Sequence, residues 1–379
     1  MERVRKQLLE LIRCCLWDTT PSASLFEGQI DWKKLLNTAQ QQAVLGMAYT
    51  QIEKLNEKPA QNSMMRLYTL TTLNRKMQLK QLQVLDTITK RLEVCGITRP
   101  VLLKGIGISQ SYIDPGVRQC GDIDLYVGCE HFEEAIEQIK TWGESKIEYN
   151  ALSRKDYHFE FDGITIELHR IAITCKNITK NRSEFEKWCS EQLEGDDVRC
   201  EEIEGIKVYL PPHNFDAIYI FHHAWDHFCT SGIAFRQICD WSRFMATQHD
   251  KLNDQKIAER LDYFGLTSPW GFFTALAISH LGLDTSKTIA YNPAKNWHTD
   301  KVAKRVWEGG NFGFYSGKYA GTNKNIFARE FINFIAIFRS ASFLHSIDRR
   351  YARKYFGCAI LHLITTKSRR IYYTITRKK

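Results

Sequence analysis

Residues 101–127, VLLKGIGISQSYIDPGVRQCGDIDLYV, constrain this chain more than any other stretch. They read as a strand, a Lys104-Gly105 corner, a short apolar helix and a returning strand that carries Asp122 and Asp124. Side chains alternate faces along a strand, so Asp122 and Asp124 are expected on one face and Ile123, Leu125 and Val127 on the other. Adjacent carboxylates repel each other, and an apolar strand keeps such a pair at a cost unless a cation sits between them. Hard oxygen ligands on a rigid strand suit Mg2+ (or Mn2+), which then binds substrate phosphates.

The chain around this segment has 379 residues, of which 44% are hydrophobic and 25% charged, enough for two or three domains with a core that needs no staples. Its 11 cysteines are scattered, with no CxxC pair. That pattern argues against a disulfide framework and against a structural zinc site, and predicts reduced thiols in a cytoplasmic protein. The N-terminal MERVRKQLLELIRCCLW is basic and then apolar. Glu10 and Arg13 interrupt the apolar run, so an amphipathic first helix is expected in place of a signal peptide. No stretch reaches the ~18–20 uncharged apolar residues of a spanning helix. The net charge of +9 is concentrated at one end: residues 325–379 hold 12 Lys and Arg against Glu330 and Asp348, a local balance of +10. Arguments about anionic partners therefore belong to that tail.

Periodicity divides the chain into four parts: a helical region 1–95, a mixed region 96–211, a helical region 212–324 and a basic, apolar, helical tail 325–379. Asp31 is placed to cap a helix starting at Trp32. Met64 to Cys95 repeats apolar residues every three or four positions (Leu67, Leu70, Leu73, Met77, Leu82, Leu85, Ile88, Leu92), as one amphipathic helix requires. Ile97–Leu103 reads as the first strand, and 131–142 as a helix. Residues 157–169 form two alternating runs around Asp162-Gly163, a two-residue hairpin turn signal. Thr165, Glu167 and His169 fall on one face of its second strand, opposite Ile164, Ile166 and Leu168. A weaker hairpin surrounds Glu204-Gly205. From His213 onward the period is helical, and 309–325 reads as a loop. The overall expectation is an α+β chain with a small mixed sheet flanked by helices.

The order of helix, strand, short helix and DxD strand, followed by an acid on a later antiparallel strand, resembles the DNA polymerase beta-like nucleotidyltransferase superfamily. It resembles most its bacterial branch of uncharacterised nucleotidyltransferases. The residues that carry the resemblance are Leu103-Lys104-Gly105, Tyr112, Arg118, Gly121-Asp122-Ile123-Asp124-Leu125 and Glu167-Leu168-His169, across about residues 30–250. His222-His223-Ala224 and Arg236 to Asp240 are similar to that branch's helical His, Arg, Asp signature. The resemblance implies a metal-dependent enzyme that moves an NMP from an NTP such as ATP to a hydroxyl acceptor. Asp122, Asp124 and Glu167 would hold two divalent ions, which in such sites lie ~3.5–4 Å apart, and Glu167 would also take the acceptor's proton. Lys104, Gly105, Ser109, Arg118, Gly121 and His169 would face nucleotide or phosphate. His223, Arg236 and Asp240 would line the nucleotide or acceptor pocket. The chain departs from the superfamily where a Gly-Ser pair is usual: Lys104-Gly105 and Gly107 stand there, with Ser109 further on.

Plainer readings compete at several positions. Arg118 can be an ion-pair partner that orients Asp122 or Asp124, His169 a half-buried strand histidine, Arg236 and Asp240 an ordinary helix pair, and His223 with His227 a polar seam between helices. Two other functions stay open: an inactive module that binds nucleotide or RNA, and a peripheral membrane-surface enzyme acting on a glycan or lipid-linked intermediate. Both draw on the tail, where basic and aromatic residues interleave (Arg349-Arg350-Tyr351-Ala352-Arg353-Lys354-Tyr355-Phe356), a pattern that suits nucleic acid or an anionic membrane surface.

Overall fold

The strand Ile123–Tyr126 (β2) is paired on both edges and buried along its whole length. The structure is a computed structural model that describes residues 1–143, 155–311 and 326–376. Strand β1 (Val101–Leu102) pairs antiparallel with β2, and β4 (Ile164–His169) runs parallel to it on the other edge. Strand β3 (Asp156–Phe161) forms the hairpin with β4. On the far side β6 (Ile206–Leu210) runs parallel to β1 and pairs antiparallel with β5 (Arg199–Ile203). The order is β3-β4-β2-β1-β6-β5, a mixed sheet within the expected α+β architecture.

Local chemistry accounts for most boundaries. Asp162 (φ 50°) and Gly163 (φ 70°) are both left-handed, which matches the twist of a two-residue hairpin turn. Gly105 (φ 76°, ψ −117°) occupies a conformation that residues with a Cβ avoid, and it turns the chain from β1 into the short helix α5 (Ile106–Ser109). The first strand is shorter than the expected Ile97–Leu103. Arg99 is left-handed (φ 54°) and Pro100 has no N–H to donate, so ladder pairing starts at Val101. Beyond β1, the Leu103 N–H still reaches the Asp124 carbonyl at 3.0 Å.

Four helices precede the sheet: α1 (Glu2–Trp17), α2 (Trp32–Gln41), α3 (Leu45–Ile52) and α4 (Gln61–Val94). The Asp31 carboxylate caps α2 by accepting from the Lys34 N–H at 3.0 Å. Within α4 the expected single apolar face divides. Leu67, Leu82, Leu85, Ile88 and Leu92 are buried, whereas Leu70 (40%), Leu73 (53%) and Met77 (43%) are exposed. Residues 67, 71, 78, 82, 85, 89 and 92 fall on one stripe of a 3.6-residue helix, and 70, 73 and 77 on the next stripe around. Helices α6 (Gly128–Thr141) and α7 (Arg182–Glu194) follow within the mixed region. Then come α8 (His213–Cys229), α9 (Phe235–Gln248), α10 (Asp254–Tyr263), α11 (Thr267–Leu276), α12 (Thr299–Gly309), α13 (Ile326–His345) and α14 (Arg349–Thr376). Of the expected loop 309–325, Gly309 belongs to α12, and 312–325 lie outside the described residues.

Two apolar cores lie on opposite faces of the sheet. One packs Ile123, Leu125, Ile166, Leu168 and Phe159 against Leu85 and Ile88 of α4 and Phe132 of α6. The other joins α1–α3 to the later helices and takes Leu103 and Tyr126 from the sheet. The Trp17 indole donates to the Leu281 carbonyl at 2.5 Å, and Arg13 Nε to the His280 carbonyl at 2.8 Å, tying the first helix to a segment more than 260 positions later. In the tail, α13 and α14 pack on each other, and Trp225 Nε1 donates to the Tyr351 hydroxyl at 3.0 Å. Phe334, Phe338, Leu361, Arg353 and Lys354 are exposed there. No helix among the described residues is long and apolar enough to cross a membrane.

His222 of α8 is fully buried beside the Phe185 ring, and neither ring nitrogen has a hydrogen-bond partner. Burial lowers its pKa to about 4, against the opposing charge of Asp226, and burial lowers His227 to about 4 as well. The folded state therefore refuses protons that the unfolded chain accepts near pH ~6.5, so stability is lost as pH falls from there toward about 4. Melting curves recorded from neutral pH down to about pH 4.5 should show this decline. His222→Leu, which removes two unsatisfied polar atoms, should match or exceed the wild-type melting temperature at neutral pH and flatten the decline.

Candidate functional site

The register between β2 and β4 builds the site. Asp124 lies directly across from Glu167, and Tyr126 across from His169, on the sheet face opposite Ile123 and Leu125. Asp124 is 1% exposed. Its Oδ1 accepts from Lys104 Nζ and from His169 Nε2, each at 3.0 Å, while Oδ2 has no partner. His169 Nε2 also lies 3.6 Å from Glu167 Oε2. Ligand-type atoms of Asp124, Glu167 and His169 fall within 4.8 Å of one another. Asp122 is not one of these three. It sits just before β2, half-buried, in the wall of the adjoining cavity.

The charges in this cluster depend on each other. Burial pushes the Asp124 carboxyl up, but the Lys104 charge and the His169 hydrogen bond outweigh it and hold the group below the carboxylate range. Glu167 is lowered too, since the His169 hydrogen bond and Lys104 overcome burial and the charge of Asp124. Asp122 moves the other way, raised by burial and then by Asp124. Burial lowers Lys104, yet the negative charges of Asp124, Asp122 and Glu167 raise it on balance, so the ammonium stays charged. Lys104 Nζ also lies 3.4 Å from His223 Nε2. His223 is held well below its ordinary pKa by burial, then by Lys104 and His227, and is a neutral imidazole.

A cavity of about 430 Å³ opens beside these groups, between the sheet and helices α8 and α9. Lys104, Gly105, Gly121 and Asp122 line one side, and Tyr219, His223 and Arg236 line the other. At its floor Arg118, 3% exposed, forks onto Asp240: Nε to Oδ1 at 2.8 Å and Nη2 to Oδ2 at 2.9 Å. The Tyr112 hydroxyl donates to Asp240 Oδ1 at 2.7 Å, and Arg236 Nη1 lies 3.6 Å from Oδ2. Asp240 thus stands between two guanidinium groups, and Arg236 faces the cavity.

Several expected side chains sit differently from the sequence reading. Arg118 pairs with Asp240, and neither Asp122 nor Asp124 is its partner; that partner lies 122 positions away and leaves no local signal. Ser109 is fully buried, and its hydroxyl donates to the Ile106 carbonyl at 2.6 Å, so it is turned into its own helix and away from the cavity. His169 is wholly buried and bonded to Asp124, not half-buried. The His223 and His227 rings, one turn apart on α8, lie with centroids 4.8 Å apart and tilted at 60°, and His223 also reaches Lys104. Asp156 and His158 of β3, which the sequence reading passed over, lie across from His169 and Glu167. The two-residue turn fixes that register, so counting back from Gly163 would have found them.

The Arg118–Asp240 pair generates a stability prediction. Asp240→Asn leaves a buried guanidinium without its counter-charge, which should cost about 3–5 kcal/mol in urea unfolding. Arg118→Met on that background should recover part of the loss, since it removes the stranded charge.

Residues 28–282, roughly two thirds of the chain, match the family model described as "Uncharacterised nucleotidyltransferase". The match spans α2 through α11 and so includes every residue of the site. No curated protein and no solved structure gives a significant match. With this family matched over most of its length, the chain belongs to the uncharacterised nucleotidyltransferases.

Proposed function

We propose that the site transfers a nucleoside monophosphate from an NTP to a hydroxyl acceptor, with a divalent cation held by Asp122, Asp124 and Glu167. The observation that carries this reading is the unpartnered, buried Asp124 Oδ2 beside Glu167 and a cavity edged with Lys104 and Arg236. A carboxylate oxygen buried without a donor is costly unless a cation meets it. The Asp124 and Glu167 carboxylates lie close enough to meet one ion, and a carboxylate set suits Mg2+ or Mn2+. When bound, the cation would neutralise charge on the transferring phosphoryl group.

The chain's own groups supply the remainder. Lys104 and Arg236 bind phosphate oxygens as cations that remain charged in a half-enclosed site. Arg118, through Asp240, fixes where Arg236 stands. His169 donates to Asp124 and aims its free oxygen. The acceptor oxygen attacks the α-phosphorus, the bond from phosphorus to the β-phosphate bridge breaks, and pyrophosphate departs. The hydroxyl proton passes to a carboxylate. Burial and the charge of Asp124 raise Asp122, while the His169 hydrogen bond and Lys104 lower Glu167; a bound cation would lower both. The wall formed by Tyr219, Ile220 and Ile108 offers an apolar surface for the base.

Pyrophosphate release from a panel of NTPs, with Mg2+ or Mn2+, tests the reading. Asp124→Asn and Asp122→Asn should each lower the rate by on the order of 10²-fold or more. Arg236→Ala should act chiefly on KM for the NTP. Equal release by wild type and Asp124→Asn would overturn the proposal. Tight metal-independent nucleotide binding without product would favour a binding module instead.

A further inference from the structure

The polar face of the sheet continues past Glu167 to the edge strand. The β3–β4 register sets His158 across from Glu167 and Asp156 across from His169. With the β2–β4 register, this places His158, Glu167 and Asp124 in one row across three strands. Neighbouring strands are ~4.8 Å apart, so in-register polar side chains on one face meet. Glu167 stands in the middle of the row. Its Oε2 faces His169 at 3.6 Å, and its Oε1 faces His158 Nδ1 at 3.7 Å. Asp156 Oδ1 lies 3.5 Å from His158 Nε2, and Asp156 Oδ2 lies 3.7 Å from Lys155 Nζ.

We propose that Asp156, His158 and Glu167 form a second cation site, adjacent to the first and sharing Glu167 with it. One ligand atom from each of the three lies within 4.8 Å of the others. Three donors on one ion at ~2.0–2.2 Å lie about 3–3.8 Å from one another, so side-chain rotations on the order of 1 Å, turning one His158 ring nitrogen toward both carboxylates, would close the site. The donors are an imidazole and two carboxylates, against the oxygen-dominated surroundings of Asp122 and Asp124. An imidazole shifts preference from Mg2+ toward borderline ions such as Zn2+, Co2+ and Mn2+. The three side chains are partly exposed (16%, 36% and 22%), which leaves room for water to complete the coordination. Glu167 presents a different oxygen to each histidine, the arrangement of a carboxylate that bridges two ions. The sharing of Glu167 rests on the function proposed above; the site on β3 does not.

The competing occupant is a proton. An imidazolium held between Asp156 and Glu167 would account for the same distances without a metal. Chelator-stripped full-length protein, titrated with Co2+ at mildly alkaline pH, separates the two through visible absorption and stoichiometry. Wild type should bind two equivalents, with absorption from nitrogen-ligated Co2+. His158→Gln and Asp156→Asn, both at partly exposed positions of an edge strand, should each retain one equivalent. Zn2+ affinity for the lost equivalent should fall by more than the ~10–100-fold that removal of an outer-shell partner costs. Asp124→Asn should retain the equivalent that His158→Gln loses. Circular dichroism of the stripped variants reports folding. The proposal is overturned if wild type binds only the equivalent that Asp124→Asn removes, or if His158→Gln and Asp156→Asn bind Co2+ and Zn2+ as wild type does. Pyrophosphate release, measured separately, reports on the transfer reaction, so loss of one reading leaves the other standing.

Discussion

The structure turns on one costly arrangement: two carboxylates side by side in the interior face of a sheet. Parallel pairing of β2 with β4 puts Asp124 across from Glu167, and Asp124 is almost completely removed from water. Burying an ion carries a penalty of several kcal/mol that only close, well-aligned partners offset. Lys104 and His169 are those partners, and both bond the same oxygen. The other oxygen is buried without a donor. A cation at that oxygen would offset the cost, as the function proposed above requires, and the family to which the chain belongs is described as a nucleotidyltransferase family.

The surrounding architecture keeps that arrangement rigid. The apolar face of the same strands packs on α4 and α6, so the polar face is fixed by its opposite side. The second core ties α1–α3 to α8 and the helices beyond, and α8 and α9 form the far wall of the cavity. Asp240, on α9, gathers Arg118, Tyr112 and Arg236 from separate elements into one buried network. Two guanidinium groups share one carboxylate there, which leaves the wall cationic and opposite in sign to Asp122 and Asp124. A polyphosphate with its counter-cation would meet both signs at once.

Much of this was legible in the residues themselves. Alternation placed Glu167 and His169 on one face of a strand, and Asp162-Gly163 fixed the hairpin register to the residue. Helix limits followed from period, caps and glycines, to within a few positions. The features that went unread share a cause. Arg118 and Asp240 are 122 positions apart, Lys104 and His223 are 119 apart, and neither pairing has a local periodicity to announce it. The exposure of Leu70, Leu73 and Met77 is of the same kind, because a helix's sequence shows which residues are apolar but not where its neighbours stop.

By itself, the sequence determined the local geometry: which side chains share a strand face, where the chain turns, and which residue types can hold a cation. Those properties come from backbone stereochemistry and from interactions over a few residues. Tertiary structure decided that β2 and β4 lie parallel in a register that sets Asp124 against Glu167. It turned Ser109 inward and joined Arg118 to Asp240. It also let the first three helices share a core with the last ones. Each of these depends on contacts between segments far apart in the chain, whose free energy exists only once the whole core has formed.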